Sequence, residues 1–335
     1  MPHVLVAGRI HDAGIDLLRR APDITFDYIE EVSLASFAPL IGSADGLIVR
    51  TQPVAAELVA QAPRLRIVAR FGVGYDAVDV KALSARGIPL AIVGDVNSRC
   101  VAEHALMLML ATARRLIRYD AGLRAGDWHR RDSLEAIELF GKTLLIVGFG
   151  RIGHHVATMA QAFGMRIIAF DPYQPPGAIA AGGGEPVADL KAALPQADFV
   201  TLHAPKTDSW PLLGEAELRL MQPSAILINT SRGGAVDEAA LLRALDDGRL
   251  AAAGLDVFAA EPPPSDDPLL RSDRVIVSPH SAGLTRECAV RMSIAAARNV
   301  LAAFEGRLDP ALVVNAAELG LNTIAAPARA SPTSV

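Results

Sequence analysis

Short apolar runs rich in Val, Ile and Leu alternate with helix-length segments along almost the whole chain. A strand buried on both faces carries apolar residues at every position, so this alternation predicts parallel βαβ units. In the first hundred residues the strand candidates are HVLVAG from His3, TFDYI from Thr25, GLIVR from Gly46, LRIVAR from Leu65 and IPLAIV from Ile88. Helical patterns such as AAELVAQA and VDVKALSARG lie between them, and a long helix is expected from about Ser98 to Arg118. A second series then begins, with strands TLLIVG, RIIAF, DFVTLHA, AILINTS, AAAGLDVF and RVIVSPH. That is a six-strand set, the number of the doubly wound dinucleotide fold. A last helix, RECAVRMSIAAARNVLAAFEG, precedes ALVVN and a small-residue tail from Ala316, whose final ten or so residues we expect to be loose.

Composition narrows the class. A chain of 335 residues suggests two domains at about 150 residues each. The hydrophobic fraction is 51% and mean hydropathy +0.30, largely from alanine. The most apolar helix, around ALMLMLATA, is flanked by Glu103, His104, Arg114 and Arg115, well short of the roughly 20 apolar residues a membrane span needs. No membrane association is expected. The start, MPHVLVAGRI, runs straight into a strand pattern without a secretion signal. Two cysteines give neither a disulfide framework nor a zinc spacing, so the reducing cytoplasm is the expected compartment and no metal site is expected. A net charge of −5, from 32 basic and 37 acidic residues, argues against a large nucleic-acid-binding face.

The densest chemical signal is GKTLLIVGFGRIGHHVATMAQAFGMRIIAFDPY, residues 141–173. Gly148, Gly150 and Gly153 follow a strand and open a helix, the context a dinucleotide motif requires. Gly148 permits the tight turn, Gly150 lets backbone approach a pyrophosphate, and Gly153 allows close helix–strand packing. The helix N-terminus offers N–H groups to the anion. Asp171 ends the next strand, about 20 residues on, where a carboxylate can accept ribose hydroxyls. Pro172, Tyr173 and Gln174 follow, without a cation for a 2′-phosphate. NAD is therefore expected over NADP. A plain glycine-rich turn, with Asp171 capping a loop, is the competing reading.

Three later strand ends carry isolated polar residues: Arg232 in LINTSRGGAVDE, Glu261 in GLDVFAAEPPP and His280 in VIVSPHSAGLT. In open α/β sheets ligands sit beyond the carboxyl ends of the strands, so all three can converge. Singly, each also fits an ordinary loop role. Together, Arg232 offers a planar fork for a carboxylate or ketone oxygen, and His280 exchanges a proton near neutral pH. A carboxylate such as Glu261 beside a histidine favours imidazolium, which suits a general acid.

With RFGVGYDAVDV, VNSRCVAEHAL, LFGKTLLIVGFGRIG, INTSRGGAVDEAAL and SPHSAGLT in this order, the chain resembles the NAD-dependent D-isomer-specific 2-hydroxyacid dehydrogenases over residues 3–315. The resemblance implies two Rossmann-like doubly wound parallel-sheet domains with a cleft between them: a flavodoxin-like substrate domain, 1–98 plus 305–320, and an NAD-binding domain, 99–304. Residues 321–335 would be a flexible tail, and helices starting near Ser98 and Thr285 would be hinges. It implies hydride transfer between NAD(H) and C2 of a small 2-keto or 2-hydroxy acid. Arg232 would bind and polarise substrate, His280 would be the acid/base, and Glu261 would orient and charge it. Arg151 and Ile152 would lie under the pyrophosphate, His203 near a ribose, and Thr230 and Asp256 along the cofactor, with Asp256 near the carboxamide. Val73 and Gly74 would hold the substrate carboxylate, and Asn97 would brace the cleft. A homodimer through the coenzyme domain is implied as well.

Within the family, 3-phosphoglycerate dehydrogenases often follow VR with a Ser-Ala-Thr-Lys-type run. IVRTQPV keeps Arg50 but lacks the lysine. Arg50 and Arg70 leave a phosphate open, and hydroxypyruvate or glyoxylate reduction is the alternative. The chain stops at 335, so no regulatory domain is expected. A formate dehydrogenase, an NAD-sensing corepressor of the C-terminal-binding type and an S-adenosylhomocysteine-hydrolase-like reading carry less weight.

Overall fold

The computed structural model describes residues 1–206 and 210–321; the tail expected to be loose falls almost wholly outside them. The chain divides into two compact units. One comprises Met1–Asn97 and the described residues from Thr285 onward, the other Ser98–Leu284.

In the first unit the five apolar runs become β1 (His3–Ala7), β2 (Thr25–Ile29), β3 (Gly46–Val49), β4 (Ile67–Arg70) and β5 (Leu90–Ala91). They form one sheet in the order β2-β1-β3-β4-β5, every pair parallel. This is the flavodoxin-like order, with its switch point between β1 and β3. β3 is buried at every position, while β2 is not buried at any, as expected of a central and an edge strand.

The second unit holds β6 (Thr143–Val147), β7 (Arg166–Phe170), β8 (Glu185–Pro186), β9 (Phe199–Leu202), β10 (Ile226–Asn229), β11 (Ala252–Leu255) and β12 (Val275–Val277). Their order is β12-β11-β10-β9-β6-β7-β8, again all parallel. The chain reverses direction across the sheet between β6 and β9, the dinucleotide-fold switch point. Both faces of β6 are covered: Leu144 and Ile146 enter one apolar cluster, Leu145 and Val147 the other. That is the period-2 division of a strand between two helical layers.

Three expectations are corrected. The second sheet has seven strands, because exposed Glu185–Pro186 pairs with β7, and so short a polar strand carries no apolar signal. The long helix stops at Ala113; Arg115 is left-handed at φ 51° and a second helix, Leu116–Arg124, begins. Arg114 and Arg115 end the apolar face that buries Ser98–Ala113, and a left-handed residue closes the turn. ALVVN, beyond the last helix, forms a 3-10 turn and an antiparallel bridge from Val313 to Ala91.

The third correction is the boundary at 304. Helix Arg286–Phe304 belongs to the first unit. Helix Asp12–Arg20 lies directly on it: His11 N–H donates to Ser293 Oγ at 2.8 Å, and a Cβ on Gly14 would sit 2.6 Å from the Ser293 carbonyl oxygen. A Cβ on Gly46 of β3 would likewise sit 2.9 Å from Val300. Small residues make this approach possible, and an apolar stripe in sequence does not say which sheet it covers.

Candidate active site

The glycine loop between β6 and helix Arg151–Ala162 has three residues with three different constraints. Gly148 has φ +94°, and a Cβ there would lie 2.6 Å from Ala204 N and 2.7 Å from His203 C, both after β9. A Cβ on Gly153 would strike the Gly148 carbonyl oxygen. Gly150 is different. It caps the helix without a side-chain hydrogen bond, and nothing lies within 4 Å of its Cβ position. Backbone N–H groups of the first helical turn are therefore open to an anion at a positive dipole end. Exposed Arg151 and half-buried Ile152 occupy that turn.

Asp171 follows β7. Its Oδ2 accepts from Phe149 N–H of the glycine loop at 2.8 Å and its Oδ1 from Tyr173 N–H at 2.8 Å. The carboxylate thus fixes the loop, and its remaining lone pairs face a pocket of 490 Å³ lined by Gly148, Phe170, Pro172, Tyr173, Pro205 and Leu212. Thr230 Oγ1 and His203 Nδ1 are buried without a hydrogen-bond partner among the described residues. His203 Nε2 meets Thr201 Oγ1 at 2.9 Å, and burial pushes its imidazole down to about 3, so the ring is neutral. An open helix N-terminus, a ribose-height carboxylate, an apolar pocket and two orphaned polar atoms fit a dinucleotide.

Arg232, Glu261 and His280 follow the ends of β10, β11 and β12. His280 is left-handed at φ 50°, and its N–H donates to the Asp256 carbonyl at 2.8 Å. Its Nδ1 meets Glu261 Oε2 at 2.6 Å, with both side chains partly exposed. Glu261 Oε1 accepts from Phe258 N–H at 3.1 Å. Burial pushes the Glu261 carboxyl up, but the His280 and Phe258 hydrogen bonds, with the charges of His280 and Arg232, outweigh it and hold the group below the usual carboxylate range. Glu261 is therefore an anion, and an anion at this distance favours the His280 tautomer that carries its proton on Nδ1. Arg232 donates from Nη1 to the Ser231 carbonyl at 2.7 Å, and its own carbonyl accepts from Asn229 Nδ2.

The chain can be matched to known proteins on this basis. Residues 106–282 match the model of the D-isomer specific 2-hydroxyacid dehydrogenase, NAD binding domain. That is more than half of the chain. The chain belongs to this family. It is 37% identical over 310 residues to a D-3-phosphoglycerate dehydrogenase of Methanocaldococcus jannaschii, covering 92% of this chain but only 58% of that protein. It is 43% identical to a glyoxylate reductase of Korarchaeum cryptofilum, covering 78% of this chain and 80% of the relative. The solved structure of the TT0316 protein from Thermus thermophilus superposes with a TM-score of 0.85 at 35% identity, covering 93% of this chain and 99% of that one.

For a member of this family, one finding stands apart from the sequence reading. Asp256, expected beside the cofactor, is fully buried beneath the His280 loop. Its Oδ1 accepts from Ser278 Oγ at 2.6 Å and Ser281 N–H at 2.9 Å, and its Oδ2 from Ala282 N–H at 2.9 Å. His104 Nε2 reaches Ser278 Oγ at 2.8 Å. Ser278 and His104 were both inside quoted motifs, but only the fold shows that they brace the His280 loop. The substrate-side candidates Arg50, Val73, Gly74 and Asn97 all lie in the first unit, and Arg232, Glu261 and His280 in the second. Arg50 donates from Nη1 to the Arg9 carbonyl at 2.9 Å and lies over the Phe71 ring. Val73 and Gly74 are half-buried after β4. Asn97 is buried with Oδ1 unpartnered among the described residues.

Proposed function

We propose that the protein is a D-2-hydroxyacid dehydrogenase acting on a small 2-keto or 2-hydroxy acid of the phosphoglycerate or glyoxylate/hydroxypyruvate type. The observation that carries this is the 2.6 Å His280–Glu261 pair on the same sheet end as the open glycine loop. NAD(H), when bound, supplies or accepts the hydride at C2. Gly148, Gly150, Arg151, Ile152 and Gly153 would hold its pyrophosphate, Asp171 and His203 its riboses, and Thr230 the far end, while Asp256 braces the His280 loop from below. Arg232 polarises the C2 oxygen and anchors the carboxylate through its fork. His280 Nε2 donates a proton to that oxygen in reduction and removes it in oxidation. Glu261 stabilises the imidazolium and fixes the tautomer. From the first unit, Arg50, Val73, Gly74 and Asn97 would receive the rest of the substrate.

Between the two substrate types, the glyoxylate reductase match spans more of the relative's own length, 80% against 58%. The absent lysine after Arg50 points the same way. NADH consumption with phosphohydroxypyruvate, hydroxypyruvate, glyoxylate, pyruvate and bulkier 2-keto acids tests both. Turnover of one member names the class; NADH binding with no turnover of any moves the chain to the NAD-sensing reading.

A homodimer through the second unit belongs to the same proposal. Leu116, Ile117, Leu123, Trp128 and Leu134 are each more than half exposed, all on helix Leu116–Arg124 and the turn beyond it. A second copy would cover that face. Light scattering is expected to give a dimer, and Leu123→Glu to weaken it. The two thiols, Cys100 and Cys288, are buried and form no disulfide, which suits a reducing compartment such as the cytoplasm. Among the described residues no helix is long and apolar enough to cross a membrane, and no cluster of His, Cys, Asp and Glu is placed to hold a metal.

A further inference from the structure

Glu261 can serve His280 only if the short segment that carries it, Phe258 to Glu261, stays in place. That segment has no regular secondary structure and rests on two contacts from the stretch that follows Arg232. Gly233 is buried against it so closely that a Cβ would collide with the Phe258 carbonyl group and Ala259 N. The second contact is Glu238. It stands in the first turn of helix Glu238–Asp246, which is capped by Asp237, and its Oε1 accepts from Ala259 N–H at 2.6 Å.

We propose that Glu238 is a positioning residue for the Glu261–His280 pair. The reasoning is geometric. Two successive backbone N–H groups of the segment are held by different carboxylates: Phe258 N–H by Glu261 itself, at 3.1 Å, and Ala259 N–H by Glu238. One carboxylate thus closes the segment from within and the other anchors it to a rigid helix. A backbone N–H given to a carboxylate at this length is a charge-assisted hydrogen bond, roughly twice as strong as a neutral one. Gly233 supplies the close approach without which Glu238 could not reach.

The Glu238 carboxyl accepts an unfavourable setting to do this. Burial pushes it above the usual carboxylate range, helped by the negative charges of Asp267, Glu261 and Asp237 and opposed by the Ala259 hydrogen bond. An acid that only solvated a helix start would sit better in water. The same arrangement links the two ends of the site, since Arg232 adjoins Gly233 on one side of the contact and Glu261 closes the other.

This inference rests on the dehydrogenase reading for its catalytic consequence, but its geometry is tested without turnover. Amide hydrogen exchange by NMR is read at Ala259 and Phe258 in the wild type, Glu238→Ala and Glu238→Gln. Glu238→Ala is expected to speed exchange about tenfold at Ala259 and also at Phe258, whose partner is Glu261. With a turned-over 2-keto acid, kcat is expected to fall about tenfold while the NADH Kd stays unchanged. Glu238→Gln keeps an acceptor and is expected to recover most of both losses. In a Glu261→Gln background, Glu238→Ala is expected to add nothing, because it acts through the group already removed. Faster exchange at Ala259 alone, or kcat losses that multiply in the double variant, would overturn the proposal. If the wild type turns over no acid, the dehydrogenase reading fails by itself, and exchange at Phe258 still decides the positioning role.

Discussion

The two units open with the same device and use it differently. In each, the first strand ends in a glycine of positive φ, Gly8 at +89° and Gly148 at +94°, and a helix follows. In the first unit that helix is closed off by protein: His11 accepts from Ala13 N–H through its own side chain, and Gly14 lies against Ser293. In the second, Gly150 provides no side-chain cap, and the space over it is empty. The neighbours across the switch point differ in kind as well. Gly8 faces the side chains of Gln52 and Arg50, whereas Gly148 faces the His203–Ala204 backbone. The β-strand–turn–helix frame is thus neutral about function. What makes the second unit a ligand unit is which N–H groups the chain leaves unpaired.

The proposed function puts proton transfer wholly on the second unit, and the largest expected effect tests that. His280→Ala is expected to lower kcat by about a thousandfold with NADH affinity nearly intact, measured by steady-state kinetics and fluorescence titration. A variant as active as the wild type would remove His280 from its role. Next, alanine strains φ at both glycines, but Gly148→Ala must also push backbone aside, whereas Gly8→Ala meets only the side chains of Gln52 and Arg50. Strain at such positions costs on the order of 1–3 kcal/mol, so Gly148→Ala is expected to lower Tm clearly more than Gly8→Ala. Equal shifts would mean that the two turns are interchangeable after all. Gly150→Ala has room and an ordinary extended backbone, φ −80° and ψ −156°. It is expected to leave Tm unchanged and weaken NADH about tenfold by crowding the pyrophosphate; unchanged affinity would close the anion site. Asp171→Ala is expected to weaken NADH by less than that and narrow the preference over NADPH, and an unchanged ratio of the two affinities would end the ribose assignment.

The glycine roles were readable because they are local. Turn, approach and packing follow from spacing alone, and the structure assigns Gly148, Gly150 and Gly153 those separate constraints. The three strand ends were readable because apolar runs stop where polar residues begin. What stayed hidden is tertiary. The apolar stripe of helix Arg286–Phe304 states that something covers it, and only packing shows that helix Asp12–Arg20 and β3 do. Asp256 at a strand end looks the same in sequence whether it faces a ligand or, as here, supports the neighbouring loop from below. Glu238 looked like any acid in a first helical turn. Bracing contacts join residues about 20 positions apart, Asp256 to Ser278 and Glu238 to Ala259, and no periodicity records them.

The smallest effect concerns the residue facing Gly148. Burial moves the His203 imidazole from its usual 6.5 to about 3, so the folded protein keeps it neutral. The unfolded chain takes up a proton as pH falls through 6.5. Between those values the unfolded state binds more protons, so this residue makes stability fall as pH drops from about 6.5 toward 3. Arg50, after the equivalent strand of the first unit, stays charged throughout and adds no such slope. His203→Asn is therefore expected to flatten part of the acid limb of denaturant midpoints between pH 7.5 and 5. At pH 7.5 it would cost only about 1 kcal/mol, the worth of the Thr201 hydrogen bond. A variant that loses stability with acid as steeply as the wild type would show that His203 is not the neutral, buried group described here. The contrast between the two turns would then rest on Gly150 alone.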